Sequence, residues 1–144
     1  MHVETVNGRY SINSALSAVI WDWNGTLLDD VDYVIVCMNR LLARRGMPSL
    51  DRDRYRRTFC FPVEEYYRKL GFYFQEESFA EISGEFIDHY YRDLEIPAPH
   101  EGALKLVSEL GAAGVTQCIL SAMEIGPLRR QLALCGFLEH MQFV

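Results

Sequence analysis

The first clear pattern in the chain is Ala-Val-Ile-Trp-Asp-Trp at residues 18–23, a short apolar run that meets an acid and continues into Asn24-Gly25-Thr26. An apolar run bounded by turn residues predicts a buried strand entering a tight loop. Beyond the loop the hydrophobic period becomes helical. Val34, Met38, Leu41 and Leu42 share one face, Asp30 or Asp32 stands ready to cap the start, and Gly46 and Pro48 stop the helix. Asp51 begins a short arginine-rich helix. Pro62 fits the first helical position of residues 63–70, which Gly71 ends. Ser78 and Glu81 form a capping-box pattern, and Phe79, Ile82, Phe86 and Tyr90 then line one face of a helix to about Leu94.

The pattern changes at Ile96-Pro97-Ala98-Pro99, where closely spaced prolines favour an extended connection and a hinge. Residues 102–113 then read as a helix with Leu106, Val107 and Leu110 inward and Gly114 just past its end. Residues 115–120 read as a second buried strand running into Ser121-Ala122, and residues 127–134 as a helix closed by Gly136. Residues 141–144 begin a third strand. This order predicts an α/β fold with right-handed crossovers and a parallel sheet. The helices between residues 30 and 97 are too many for one crossover, so they form a separate layer inserted after the first strand.

The chain has 144 residues, enough for one modest core or a small core with a helical insert. Its net charge of −6, without a long run of one sign, argues against nucleic acid and anionic membranes as partners. Tyr55, Arg56, Arg57 and Arg68 make a local basic-aromatic region that a solvated helix face explains. No apolar run reaches the length of a membrane span, and residues 1–17 lack the apolar core of a signal. The four cysteines show no CxxC spacing. Cys37, Cys118 and Cys135 read as small buried hydrophobes, and Cys60 as a buried or idle thiol, which suits a reducing cytoplasm. His89, His100 and His140 carry no motif. Tyr66, Tyr67, Tyr90 and Tyr91 read as packing or solvent-facing residues of the helical layer.

In open parallel sheets, ligands bind beyond the carboxyl ends of the strands. Two strands here end in polar residues, one at Asp22 and the other at Ser121. A lone Asp at a strand end is most simply a turn cap. Ser121 is balanced between capping a helix and binding phosphate. Asp29 and Asp30 read as acids at a helix start.

Residues 22–26 with Leu27-Leu28-Asp29 resemble the first motif of the haloacid dehalogenase superfamily, DxDGT followed by a hydrophobic pair and an acid. Ile119-Leu120-Ser121-Ala122 resembles its second motif. Pro97-x-Pro99-x-x-Gly102 before a helix resembles the return from the cap in the phosphoglycolate-phosphatase-like branch. The resemblance implies a discontinuous Rossmann-like core, residues 1–30 and 97–144, with a helical cap at residues 31–96. It also implies Mg²⁺-dependent hydrolysis of a small phosphorylated metabolite, a phosphate monoester, through an aspartyl-phosphate. Asp22 would be the nucleophile, and the Asp22 side chain with the Asn24 carbonyl would hold the metal. Gly25, Thr26, Ser121 and Ala122 would hold the phosphate. Caps of this kind close over small soluble substrates.

Two departures stand against this pattern. Asn24 replaces the second acid of the first motif, and an amide cannot exchange a proton as that acid does. The sequence also stops at Val144, before the basic third motif and the acidic fourth. Arg129 and Arg130 come too early for the third motif, and Glu139 is not at a strand end. A chain truncated after the second motif is the expectation. Residues 18–23 would then be an exposed apolar edge, unless residues 9–13 or a homodimer cover it. Two other readings follow from these departures: a related enzyme such as a phosphonate hydrolase, or a truncated non-catalytic remnant that binds phosphate or a partner.

Overall fold

The computed structural model describes residues 16–92 and 97–144, together with the backbone of residues 4–6 and 9–11. The chain divides into two compact units, one of Met1–Leu28 with Ala98–Val144 and one of Asp29–Pro97.

The first unit is α/β. Two short strands, β1 (Glu4–Val6) and β2 (Arg9–Ser11), form an antiparallel hairpin. Strand β3 (Ala18–Trp21) pairs in parallel with the later strand β4 (Thr116–Ile119), in a register running from Ala18 opposite Thr116 to Trp21 opposite Ile119. The hairpin is a sheet of its own, so Arg9–Ser11 pairs with Glu4–Val6 and not with β3. Ile12 and Asn13 lie outside the described residues. Strand β3 therefore has a hydrogen-bonded neighbour on one side only among the described residues, and Ile20 is 67% exposed. The third strand expected at residues 141–144 is reduced to one parallel bridge between Phe143 and Cys118, reached through a 3-10 turn at Leu138–His140.

Its helices sit where the apolar spacing puts them. Helix α5 (Ala103–Ala112) buries Val107 and Leu110, and α6 (Ile125–Leu134) buries Leu128 and Leu132. Helix α6 begins two residues before the expected Pro127. Proline is tolerated there because first-turn amides have no partner within the helix. Cys118 and Cys135 are half-buried rather than sealed in the core, and burial pushes the Cys135 thiol up.

The second unit is all helix: α1 (Val31–Arg44), α2 (Arg52–Thr58), α3 (Val63–Leu70) and α4 (Phe79–Arg92). Leu94 and Ile96 lie outside the described residues. Ile35, Met38, Leu41, Leu42, Leu50, Leu70 and Ile82, with Tyr66, Tyr67 and Phe72, form one buried cluster. The helix ends follow their sequence signals. The Asp51 carboxylate accepts from the Arg54 amide at 2.6 Å. The Ser78 amide donates to Glu81 at 2.7 Å, and the Glu81 amide donates back to the Ser78 hydroxyl at 3.2 Å. Pro62 stands one place earlier than expected, at the N-cap of α3, and Gly71 closes that helix with φ of 107°. Tyr66, Tyr67 and Tyr90 are buried, and Tyr91 half-buried. No helix among the described residues is long and apolar enough to cross a membrane.

Candidate active site

The parallel pairing of β3 and β4 brings their carboxyl ends to the same edge of the sheet. The last paired residues are Trp21 and Ile119, and the Leu120 amide donates to the Trp21 carbonyl at 2.8 Å. Asp22 is thus the first residue past β3, and Ser121 the second past β4. One sheet end presents both, and the cause is the strand register alone.

The loop after Asp22 folds around one carbonyl. The Trp23 carbonyl accepts from the amides of Thr26 at 3.3 Å, Leu27 at 3.1 Å and Leu28 at 3.0 Å. Gly25 makes this turn possible with φ of 70°, where an L side chain would be strained. The Thr26 hydroxyl donates to Asp22 Oδ2 at 3.0 Å. The turn itself delivers that contact, since it returns Thr26 beside the strand end. Asp22, Gly25 and Thr26 are exposed and Asn24 is half-buried. The loop is completed from the other end of the unit, where Leu28 bridges Pro99 and the His100 amide donates to the Leu27 carbonyl at 2.9 Å.

Ser121 does not cap a helix. Glu124 holds the N-cap position of α6, three residues further on. The Ser121 oxygen instead accepts from the Met123 amide at 3.1 Å, which curls the chain past Ala122 and leaves the hydroxyl hydrogen available to donate. Ala122 is exposed. Asp30 occupies the N-cap position of α1 without capping it. Its buried carboxylate accepts from the Tyr90 hydroxyl at 2.7 Å within the helical unit.

The oxygen donors at the strand end suit a hard cation in kind. The exposed Asp22 carboxylate can supply one ligand and the Asn24 carbonyl a second. Mg²⁺ commonly takes one or two carboxylates and fills its remaining positions with water and phosphate oxygens. The described residues hold no cluster of three or more His, Cys, Asp or Glu that would chelate a metal unaided. The two donors present, a carboxylate and a backbone carbonyl, are of the kind that Mg²⁺ takes.

The sequence pattern did not pick out two glutamines that hold the site's tryptophans. Trp21 Nε1 donates to Gln117 Oε1 at 3.0 Å, and Trp23 Nε1 donates to Gln131 Oε1 at 2.7 Å. Their one visible signal is a polar residue set inside an apolar strand and an apolar helix face.

Several solved structures share this fold. A predicted phosphoglycolate phosphatase from Haemophilus somnus superposes with a TM-score of 0.74 at 13% identity, over 91% of this chain and 63% of its own. A haloacid dehalogenase-like hydrolase from Streptococcus pneumoniae gives 0.77 at 14% identity, over 91% and 61%. CbbY from Rhodobacter sphaeroides, solved with xylulose 1,5-bisphosphate, gives 0.68 at 19%, over 89% and 62%. The chain thus spans less than two thirds of the length of each of these three structures. No curated protein matches the sequence. The family model for haloacid dehalogenase-like hydrolases matches residues 19–144, from inside β3 through the last residue, and the chain belongs to that family.

Proposed function

We propose that this protein is a phosphohydrolase that uses Mg²⁺ to cleave a small phosphate monoester, with Asp22 as its nucleophile. The carrying observation is Asp22 itself, an exposed carboxylate at a parallel strand end, oriented by the Thr26 hydroxyl and sharing its sheet end with Ser121. Membership of the hydrolase family and likeness to phosphatase structures support the same reading.

An Asp22 oxygen attacks phosphorus and the ester oxygen leaves, which forms an acyl phosphate on Asp22. Water then attacks that phosphorus and frees Asp22 and inorganic phosphate. Two stepwise displacements replace one difficult hydrolysis. The Thr26 hydroxyl, which donates to Asp22 in the resting site, turns to a phosphate oxygen when phosphate binds, and Ser121 with the Ala122 amide donates to the same group. The Asp22 carboxylate and the Asn24 carbonyl would hold Mg²⁺, whose charge would offset the repulsion between carboxylate and phosphate. The Asn24 amide cannot hand a proton to the departing oxygen, so that proton comes from solvent. General acid help of this kind is typically worth about 10²–10⁴ in rate, and slow turnover is expected.

The test is Mg²⁺-dependent phosphate release from p-nitrophenyl phosphate by the chain and by its Asp22→Ala variant. Release that disappears in the variant supports the reading. Equal release from both proteins, or none from the folded chain, overturns it for this polypeptide.

A further inference from the structure

Trp21 and Trp23 flank Asp22, and they are the two tryptophans of the whole chain. Each indole N–H is held by a buried glutamine. Gln117 is fully buried and Gln131 is 7% exposed, and with Asp30 they are the buried polar side chains among the described residues. A carboxamide is costly to bury unless its groups find partners, and leucine would fill either volume without that cost. What these glutamines do instead is fix the indoles. Gln117 also donates from Nε2 to the Val107 carbonyl at 2.9 Å, so it ties β3 to both β4 and α5. Gln131 ties Trp23 to α6, and the Trp23 ring meets Phe137, just past that helix, edge-on at 5.3 Å.

Trp23 is therefore pinned twice, through its indole by α6 and through its carbonyl by the Thr26, Leu27 and Leu28 amides. Asp22 is the residue between the two pinned tryptophans. Any rotation of Trp23 about its backbone would turn the Asp22 peptide and loosen the carbonyl that gathers the loop.

We propose that Gln131, supported by Gln117, is a positioning residue: through the Trp23 indole it sets the orientation of Asp22 and the fold of the Asn24–Thr26 loop. The inference rests on Asp22 being the reacting carboxylate, and its test separates the two ideas. Gln131→Met removes the acceptor at similar volume, whereas Gln131→Glu keeps an acceptor for the indole. In Gln131→Met the amides of Thr26, Leu27 and Leu28 should exchange hydrogen about tenfold faster, while those of α5 keep their protection. Gln131→Glu should stay within about threefold of the parent. Gln117→Met repeats the test from the β4 side, should Gln131→Met fail to fold.

A titration with Mg²⁺ and beryllium fluoride, a phosphoryl mimic for carboxylates, then reads the site through the two flanking tryptophans. Parent and Gln131→Glu should respond alike, and Gln131→Met should need about tenfold more ligand. Parent exchange rates at Thr26–Leu28 in a folded Gln131→Met protein would overturn the positioning role, whatever the titration shows. A fluorescence response that survives in Asp22→Ala would overturn the role of Asp22 and leave the exchange result standing.

Discussion

The two units of the chain handle their polar groups in opposite ways. In the helical unit most of the polar contacts lie at the surface. Arg45 spans Glu77 and Glu85 at 2.8 Å each, Arg52 meets Asp32, and the helix ends are capped by Asp51 and by Ser78 with Glu81. Its interior is an apolar and aromatic cluster that includes Tyr66 and Tyr67, and the buried Asp30 carboxylate of this unit accepts from Tyr90. In the α/β unit the sheet is small and partly bare, with Ile20, Leu120 and Phe143 each more than two-thirds exposed. Yet this unit buries two glutamines beside the strand that carries Asp22. The helical unit keeps most of its side-chain pairs at helix ends and exposed faces, while the α/β unit gives up apolar interior to hold the two indoles that flank Asp22. Substitutions in the first should therefore change stability, and substitutions in the second should change chemistry.

The largest expected effect tests the chemical side. Asn24→Asp restores an acid two residues after Asp22. Hydrolysis of an alkyl phosphate should rise by about 10²–10⁴, because a poor leaving group needs the proton. The gain with p-nitrophenyl phosphate should be smaller, since its leaving group departs without one. The unfolding midpoint should barely move, because Asn24 is only half-buried. Unchanged alkyl phosphate turnover would mean that protonation of the leaving oxygen does not limit the reaction.

The next effect tests the structural side. Leu41 is fully buried in the helical cluster, and Leu41→Ala should cost about 2–5 kcal/mol of stability. Both tryptophans belong to the α/β unit, so their fluorescence reports that unit while far-ultraviolet circular dichroism is weighted toward the helices. In urea the helix signal should shift to a lower midpoint and the tryptophan signal should shift less. Midpoints that move together would break the comparison and make the two units one cooperative body.

The elements were legible in the sequence because each carries its own local signal. Apolar spacing places α1 and α4, and the reciprocal bonds of Ser78 and Glu81 are those their spacing implies. The Asp22–Thr26 loop was legible for the same reason, since Gly25 announces a positive φ. Long-range polar contacts were not. Gln131 lies 108 residues from Trp23 and Tyr90 lies 60 from Asp30, and no short window of sequence records either pairing. The start of a third strand at residues 141–144 takes the form of one parallel bridge, Phe143 with Cys118, held by the bonds from the Gln142 amide to the Gln117 carbonyl and from the Ile119 amide to the Phe143 carbonyl. Ser121 was ambiguous because a serine before a helix looks the same three residues from the N-cap as at it, and only the backbone places Glu124 there.

The smallest effect concerns acid, and it follows from where the surface polar groups lie. Hydrogen bonds from Arg52 hold Asp32 below the usual carboxylate range, those from Arg45 do the same for Glu77, and those from Ser78 for Glu81. Burial pushes Glu85 up, but Arg45 and Arg44 together bring it below its ordinary value. All four belong to the helical unit. A carboxylate whose folded pKa is depressed adds stability above its unfolded pKa, and that stability is lost as pH falls through the folded value. The helix midpoint in urea should therefore drop below a pH of about 4.5, near the unfolded values of Asp and Glu, and it should drop more than the tryptophan midpoint. The fall should be shallow, because Asp32, Glu77 and Glu81 are exposed and water screens them, which leaves Glu85 as the one sheltered carboxylate of the four. Arg45→Met removes the partner shared by Glu77 and Glu85, so it should flatten the acid slope of the helix signal and leave that of the tryptophans alone. An unaltered slope in Arg45→Met would mean that the acid sensitivity of the helical unit does not come from the Arg45 pairs.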